Sequence, residues 1–188
     1  MGDARDGDLC DDCLATPHAW DRGRAALVYG GNARYIVLGL KYGDRTEYAK
    51  HVARWMSERI DDLVSPSTFV VPVPLHWFRQ MRRQYNQSAL LAEEIAKQRG
   101  LDWDPNALQR KKMTKCLDGY NAQQRQEILE NAISPHRKYG GQIAGRDVLL
   151  VDDVLTTGAT LDACARACLD AGATKVNVVT LARVARRG

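Results

Sequence analysis

The chain has 188 residues, of which 45% are hydrophobic and 27% are charged, and its formal net charge is +4. This composition is typical of a soluble domain with a full core, and no stretch approaches the roughly 18 apolar residues of a membrane-spanning helix. The excess of positive charge is too small to indicate nucleic-acid binding by itself.

The N-terminal stretch is acidic, whereas a secretory signal would be basic and then apolar. The five cysteines are an odd number, which suits a reducing compartment, and we expect a cytoplasmic location.

Cys10 and Cys13 have the C-x-x-C spacing of half a zinc site, and His18 is a further candidate ligand nearby. The pair either belongs to a Zn²⁺ site completed by Cys116, a second chain or residues outside this sequence, or it is a remnant without metal. We assign residues 1–20 to this N-terminal part.

Hydrophobic patterns predict three elements in the segment 21–64, which we expect to form a small hood. They are a short strand at 25–29, a short helix at 35–40 and a longer amphipathic helix at 48–60. Lys41 follows the short helix, where it could reach a ligand or remain an exposed lysine at the helix end.

The core, residues 65–188, is predicted to begin with a buried strand at 68–71. This strand ends in Pro72 and Pro74, which cannot donate hydrogen bonds to a neighbouring strand, so the chain should leave the sheet there. Open α/β sheets bind their ligands at this carboxyl edge. The sequence therefore predicts that the turn after the strand faces a ligand.

The middle of the chain contains one clear helix and two segments that are harder to interpret. Asn86 is the predicted N-cap of a helix that ends at Gly100. Residues 110–120 are basic and weakly periodic, which indicates either a mobile loop or a structureless surface segment. A short helix is predicted at 123–132, and residues 135–145 form a linker.

The stretch 148–160 is the most informative part of the chain. Its first four residues are apolar and indicate a strand buried on both faces, which should surface where Asp152 and Asp153 follow. A loop with hydroxyl side chains and glycine comes next, and then a helix that runs to Gly172. A last strand is predicted at 175–182, so strands and helices alternate and the fold class is α/β with parallel crossovers.

The loop in this stretch suits a phosphate monoester. Gly158 lets backbone N–H groups converge, the helix N-terminus adds partial positive charge, and threonine hydroxyls supply further donors. The two aspartates can accept hydrogen bonds from neighbouring sugar hydroxyls and can stabilise a carbon that becomes cationic. A pentose 5-phosphate would satisfy both the loop and the pair of aspartates. An Asp-Asp pair alone is a weaker signal, because it also occurs in response regulators and metal sites.

The same stretch, V-L-L-V-D-D-V-L-T-T-G-A-T, resembles the phosphoribosyl-diphosphate (PRPP) signature of the type I phosphoribosyltransferases. Together with the strings L-K-Y-G, V-P-V-P-L-H and Y-N-Q and the C-x-x-C pair, it makes the chain similar to the ComF family of competence-associated phosphoribosyltransferase-like proteins. This resemblance implies the type I phosphoribosyltransferase fold, a mainly parallel twisted sheet flanked by helices with a small N-terminal hood. ComF-like proteins commonly carry two C-x-x-C pairs that form a zinc ribbon, and this chain has one.

The resemblance also implies roles for particular residues. The residues implied to bind PRPP are Asp152, Asp153, Thr156, Thr157, Gly158, Ala159 and Thr160. The candidate catalytic residues are Asp152, Asp153 and Lys41. The residues implied to bind the diphosphate are Leu75, His76, Arg79, Arg82, Arg83, Arg110 and Lys115. Mg²⁺ is the implied cofactor, and Zn²⁺ is the candidate metal of Cys10 and Cys13.

Two functions remain open at this stage. The first is transfer of the 5-phosphoribosyl group from PRPP to an unknown nitrogen acceptor, with release of diphosphate. The second is a non-catalytic module that binds a nucleotide or a protein partner in competence and DNA uptake. A groove for single-stranded DNA is less favoured, because such grooves interleave aromatic and basic residues, and between Arg79 and Lys115 the aromatic residues are Tyr85 and Trp103.

Overall fold

The structure, a computed structural model, describes residues 17–42, 47–75, 85–110 and 132–185. Strands β1 to β7 are Arg22–Val28, Phe69–Pro72, Asp102–Trp103, Leu108–Arg110, Ile133–Pro135, Asp147–Leu155 and Lys175–Arg183. Helices α1 to α4 are Gly31–Tyr42, Glu47–Ser57, Gln87–Arg99 and Ala159–Asp170, and Gly140–Ile143 form a short 3₁₀ helix.

Five strands form one sheet in the order β1-β7-β6-β2-β3, and every neighbouring pair in it is parallel. β4 and β5 form a separate antiparallel pair. The expected α/β class with parallel crossovers is therefore confirmed. β7 is buried over most of its length and β6 is buried from Val148 to Val151, as their runs of valine and leucine predict.

Helices cover both faces of the sheet because successive side chains of each strand point to opposite sides. On β6, Leu149 and Val151 pack with residues of α1, α2 and α3 in one apolar core. Val148 and Leu150 pack with residues of α4 and of the β4–β5 pair in a second core. The sheet is thus held between two apolar layers, and its carboxyl edge is the part that is left open to a ligand.

The carboxyl edge of the sheet has a step between β2 and β6. β2 pairs with β6 only as far as Pro72, which lies opposite Val151. β6 continues beside β7 to Leu155, which lies opposite Arg183. The last residues of β6 therefore have a strand neighbour on one side only, and the step leaves space on the β2 side.

The ends of α3 agree with the sequence-based predictions, whereas the end of β6 differs. The Asn86 side chain accepts a hydrogen bond from the Ser88 N–H at 3.1 Å, and Gly100 ends α3 with a φ of 65°, so both predicted helix ends are confirmed. β6 becomes less buried at Asp152 and Asp153, as expected, but the strand does not end there, because β7 continues to pair with it as far as Leu155.

Other differences concern elements that the patterns did not reveal. β3, β4 and β5 lie where the sequence patterns predicted no strand, and they have only two or three residues each. Nearly all of the helix expected at 123–132 lies outside the described residues, and Ala132 itself is in a turn. β1 was expected in the hood but lies at the edge of the main sheet. The division into a hood at 21–64 and a core at 65–188 stays a prediction.

Among the described residues, no helix is both long enough and apolar enough to cross a membrane.

Candidate functional site

A cavity of ≈ 520 Å³ lies at the step in the sheet edge, and we call it the cleft. This volume is within the range of small-molecule sites. Its walls come from the end of β6, the turn after β2, the start of α3 and the ends of α1 and β4. Residues lining it include Lys41, Leu75, Ser88, Arg110, Asp152, Asp153, Thr156 and Thr160.

The two aspartates of β6 meet in the cleft with partners from two helices. Asp152 Oδ1 accepts hydrogen bonds from the Ser88 hydroxyl and from the Asp153 N–H, each at 2.8 Å. Asp153 Oδ1 lies 3.1 Å from Lys41 Nζ, and the two side chains are 13% and 24% exposed. The predicted residues Lys41, Asp152 and Asp153 are therefore brought together.

Burial and the neighbouring Asp153 carboxylate raise the pKa of Asp152 to about 7. The hydrogen bonds from Ser88 and from the Asp153 N–H, and the charge of Lys41, act in the opposite direction. The Asp152 carboxyl group therefore exchanges a proton near neutral pH. It can accept a hydrogen bond from a hydroxyl group when ionised and donate one when protonated.

The loop 156–160, which we call the phosphate loop, joins β6 to α4. Gly158 precedes the helix with a φ of 84°, a conformation that favours glycine. The Ala159 N–H donates weakly to Thr157 Oγ1 at 3.5 Å. Thr156 and Thr160 line the cleft. The first N–H groups of the 12-residue helix α4 and these hydroxyls form the kind of site that binds a phosphate group.

The segment before β1 packs against the phosphate loop, and we call this contact the 18–20 tether. The rings of His18 and Trp20 stack with centroids 3.9 Å apart and an angle of 10° between planes. A Cβ atom on Gly158 would lie 2.8 Å from atoms of both rings. Asp162, in the first turn of α4, accepts a hydrogen bond from the Ala19 N–H at 2.8 Å and lies 3.0 Å from His18 Nδ1. His18, considered above only as a metal ligand, is thus engaged with Asp162.

The residues expected at the diphosphate are described only in part. Leu75 and Arg110 line the cleft. The remaining five lie outside the described residues: His76, Arg79, Arg82, Arg83 and Lys115.

The metal predictions concern Cys10, Cys13 and Mg²⁺. Both cysteines lie outside the described residues. Within the described part of the chain, no three His, Cys, Asp or Glu residues group together as metal ligands. The cleft offers carboxylate and hydroxyl oxygens, which suit Mg²⁺ when a ligand and water complete the coordination.

Two cysteines of α4, Cys164 and Cys168, are buried and free. Burial raises the pKa of Cys168 to about 12 and that of Cys164 well above its ordinary value. Both thiols therefore remain protonated and unreactive at neutral pH.

Sequence reasoning missed Ser88 and the 18–20 tether. Ser88 lies 64 residues before its partner Asp152, and His18 lies 144 residues before Asp162. No periodic pattern connects such positions. The string Y-N-Q, residues 85–87, was a signal that pointed to the start of α3 without assigning it a role.

A model of the phosphoribosyl transferase domain family matches residues 109–188. DNA utilization protein YhgH of Escherichia coli O157:H7 is 31% identical over 180 residues, which are 93% of this chain and 77% of that protein. Competence protein F of Haemophilus influenzae is 30% identical over 180 residues, which are 93% of this chain and 78% of that protein.

Among solved structures, the glutamine PRPP amidotransferase of B. subtilis complexed with ADP and GMP matches with a TM-score of 0.52 and 16% identity. The match covers 77% of this chain and 30% of that chain. At this identity the likeness concerns the fold alone.

Proposed function

Because the chain belongs to the ComF family, together with DNA utilization protein YhgH and Competence protein F, we propose that it binds PRPP and transfers the phosphoribosyl group to a nitrogen acceptor. The chain has the type I phosphoribosyltransferase fold. A fold of this kind does not establish a reaction, so the proposal depends on the residues of the cleft.

One observation carries the proposal: two carboxylates and a phosphate loop border the same cleft. Asp152 and Asp153 stand at the end of β6, and residues 156–160 follow directly. A ribose 5-phosphate would place its diol at the carboxylates and its phosphate at the N–H groups of α4. The volume of ≈ 520 Å³ accommodates a ligand of this size.

The proposed reaction breaks the bond between C1 of the ribose and the diphosphate oxygen, and forms a bond from C1 to the acceptor nitrogen. Positive charge develops at C1, and the carboxylates of Asp152 and Asp153 would stabilise it. Arg110 and Lys41 place positive charge in the cleft, where the leaving diphosphate becomes negative. Mg²⁺, when bound together with PRPP, would neutralise more of the negative charge on the diphosphate.

A non-catalytic module is the second candidate, and the names of the relatives favour it. "DNA utilization protein" and "Competence protein F" describe a role in the handling of DNA and name no transferase. In this alternative the cleft binds PRPP or a nucleotide, and the bound state alters a contact with proteins of DNA uptake. Ligand binding is common to both candidates, whereas release of diphosphate separates them.

The first experiment measures thermal unfolding with PRPP and Mg²⁺. We expect a rise in Tm of a few degrees for the parent protein. The double variant Asp152→Asn and Asp153→Asn should show no rise, because it cannot bind the diol as a pair of anions. Asp170→Asn, at the opposite end of α4, is the matched control and should respond like the parent. Equal stabilisation of the double variant would remove the basis of the proposal.

The second experiment measures diphosphate released from PRPP with Mg²⁺ in the presence of ammonia or nitrogen heterocycles. Release that depends on the acceptor and disappears in the double variant would support the transferase. Tight binding of PRPP without release for any acceptor would favour the module.

A further inference from the structure

A short piece of chain, segment 85–88, contacts three separate parts of the cleft. Tyr85 bonds to α1, Asn86 bonds to the turn after β2, and Ser88 bonds to β6. We infer that segment 85–88 is the positioning segment of the cleft and holds these three parts in fixed positions relative to one another. The inference rests on the proposed function, because it concerns the same site.

The first contact fixes the end of α1. The Tyr85 hydroxyl donates to the Leu40 carbonyl oxygen at 3.1 Å. That carbonyl belongs to the last turn of the helix, where carbonyl groups have no partner within the helix. Lys41 is the next residue, and its ammonium group lies 3.1 Å from Asp153. Tyr85 therefore holds the backbone from which Lys41 reaches the carboxylates.

The second contact fixes the turn after β2. Asn86 Nδ2 donates to the Val73 carbonyl oxygen at 3.0 Å, while its Oδ1 accepts from the Ser88 N–H. The Val73 N–H donates in turn to the Val151 carbonyl oxygen at 2.9 Å. The same side chain thus begins α3 and holds the turn against β6.

The third contact orients a carboxylate. Ser88 is 5% exposed, and its hydroxyl donates to Asp152 Oδ1 at 2.8 Å. Since Asp152 and Asp153 are adjacent, the contacts form a closed ring that runs from Tyr85 through Lys41 to both aspartates and back to Ser88. This ring limits the movement of the ammonium group and the two carboxylates relative to one another before any ligand binds. The entropic cost of ordering these side chains on binding is therefore lower.

The test of the Ser88 contact compares three variants by calorimetric titration with ribose 5-phosphate. We expect Ser88→Ala to weaken binding about 10-fold, because it removes a hydrogen bond to a charged group. Ser88→Thr keeps the hydroxyl and should bind within about threefold of the parent. Ser65→Ala removes a hydrogen-bonded hydroxyl on the loop before β2 and is the matched control. Parent-like binding by Ser88→Ala, or equal losses for Ser88→Ala and Ser88→Thr, would overturn the inference.

The test of the Tyr85 contact is a double-mutant cycle with PRPP and Mg²⁺. Tyr85→Phe should weaken binding several-fold in the parent and should have no further effect in Lys41→Met, since Tyr85 acts through Lys41. Tyr139→Phe, beside His136, is the control for loss of a tyrosine hydroxyl. Additive losses in the cycle would show that Tyr85 does not act through Lys41 and would overturn its positioning role.

A measurement without ligand separates this inference from the proposed function. The Ser88 hydrogen bond favours the charged form of Asp152, so Ser88→Ala should raise the pKa of Asp152 in a ¹³C NMR titration of carboxyl groups. The other groups that act on it are unchanged: the carboxylate and N–H of Asp153 on β6 and the charge of Lys41 on α1, while Arg110 of β4 lines the same cleft. If the parent bound no sugar phosphate, the proposed function would fail, yet a raised pKa would still support the positioning of Asp152. An unchanged pKa would overturn it.

Discussion

Asp152 shows how a residue can lower stability while it prepares a binding site. Its pKa is raised to about 7 by burial and by Asp153, whereas the pKa of an aspartate in an unfolded chain is about 3.9. Between these values the native state holds a proton that the unfolded state has lost. The free energy of unfolding therefore falls as the pH rises from about 4 to about 7.

The first residue-scale prediction is that Asp152→Asn is more stable than the parent at pH 8, by about 1 to 3 kcal/mol. An asparagine oxygen can still accept from the Ser88 hydroxyl, and the cost of placing a second negative charge beside Asp153 in a partly buried site is removed. The difference should shrink toward pH 5, where the parent carboxyl group is protonated. Urea unfolding at the two pH values measures it, with Asp170→Asn as the control. A stability difference that is independent of pH would contradict the prediction.

Gly158 is the second residue whose replacement has a defined consequence. Gly158→Ala would force a side chain into a φ of 84° and place a Cβ 2.8 Å from His18 and Trp20. Gly172→Ala is a matched control, because its φ is 89° but the nearest atoms are 3.5 Å away. We expect the control to lose about 1 kcal/mol from backbone strain alone and Gly158→Ala to lose about 2 to 4 kcal/mol. Equal losses of unfolding free energy for the two variants would show that His18 and Trp20 move away from the new Cβ atom without destabilising the protein.

At the scale of elements, the site exists because β2 is shorter than β6. The pairing of β2 with β6 ends at Pro72, whereas β7 still supports the longer strand as far as Leu155. The prolines predicted this end of β2 from the sequence. The extension of β6 through two aspartates was not predictable, because it depends on a neighbour that lies more than 20 residues further along the chain.

Much of the remaining architecture was predictable where one element carries its own signal. The apolar run of β6, the N-cap Asn86 and the C-terminal Gly100 are local features, and each marks its element in the structure. β3 to β5 are too short to show a periodicity. The partners of Ser88 and Asp162 are brought near only by the packing of the whole domain, so no pattern within a window of sequence could identify them.

The 18–20 tether gives a prediction for α4. Asp162→Ala would leave the Ala19 N–H without its acceptor and remove the partner of His18 Nδ1. We expect faster amide hydrogen exchange at Ala19 and a lower affinity for ribose 5-phosphate, because the first turn of α4 loses its support. Affinity for diphosphate should be little changed.

Asp170→Ala removes a carboxylate from the last turn of the same helix and serves as the control. Equal losses of affinity for both ligands in Asp162→Ala would indicate general destabilisation and would contradict a local role of the tether.

At the scale of the whole molecule, the strand order joins the two ends of the described chain. β1 pairs with β7 from Arg22 opposite Asn177 to Val28 opposite Arg183. Tyr29 and Val184, which follow these strands, both line the cleft. The cleft therefore needs β1 and β7 together.

We predict that a chain ending at residue 174 lacks a cooperative unfolding transition, because β1 and β6 both lose the strand between them. A chain ending at residue 185 retains every described strand and should unfold like the parent. Circular dichroism during urea titration compares the two. A cooperative transition in the shorter chain would show that the remaining strands make a sheet of their own.

This strand order also bears on how the protein forms during synthesis. A ribosome produces residues 22–28 well before their partner residues 177–183. Pairing across so long a separation is slow, and until it occurs the early strand has an unpaired edge on which nascent chains can aggregate. The interval between translation of β1 and translation of β7 is therefore the period in which β1 is exposed without its partner strand.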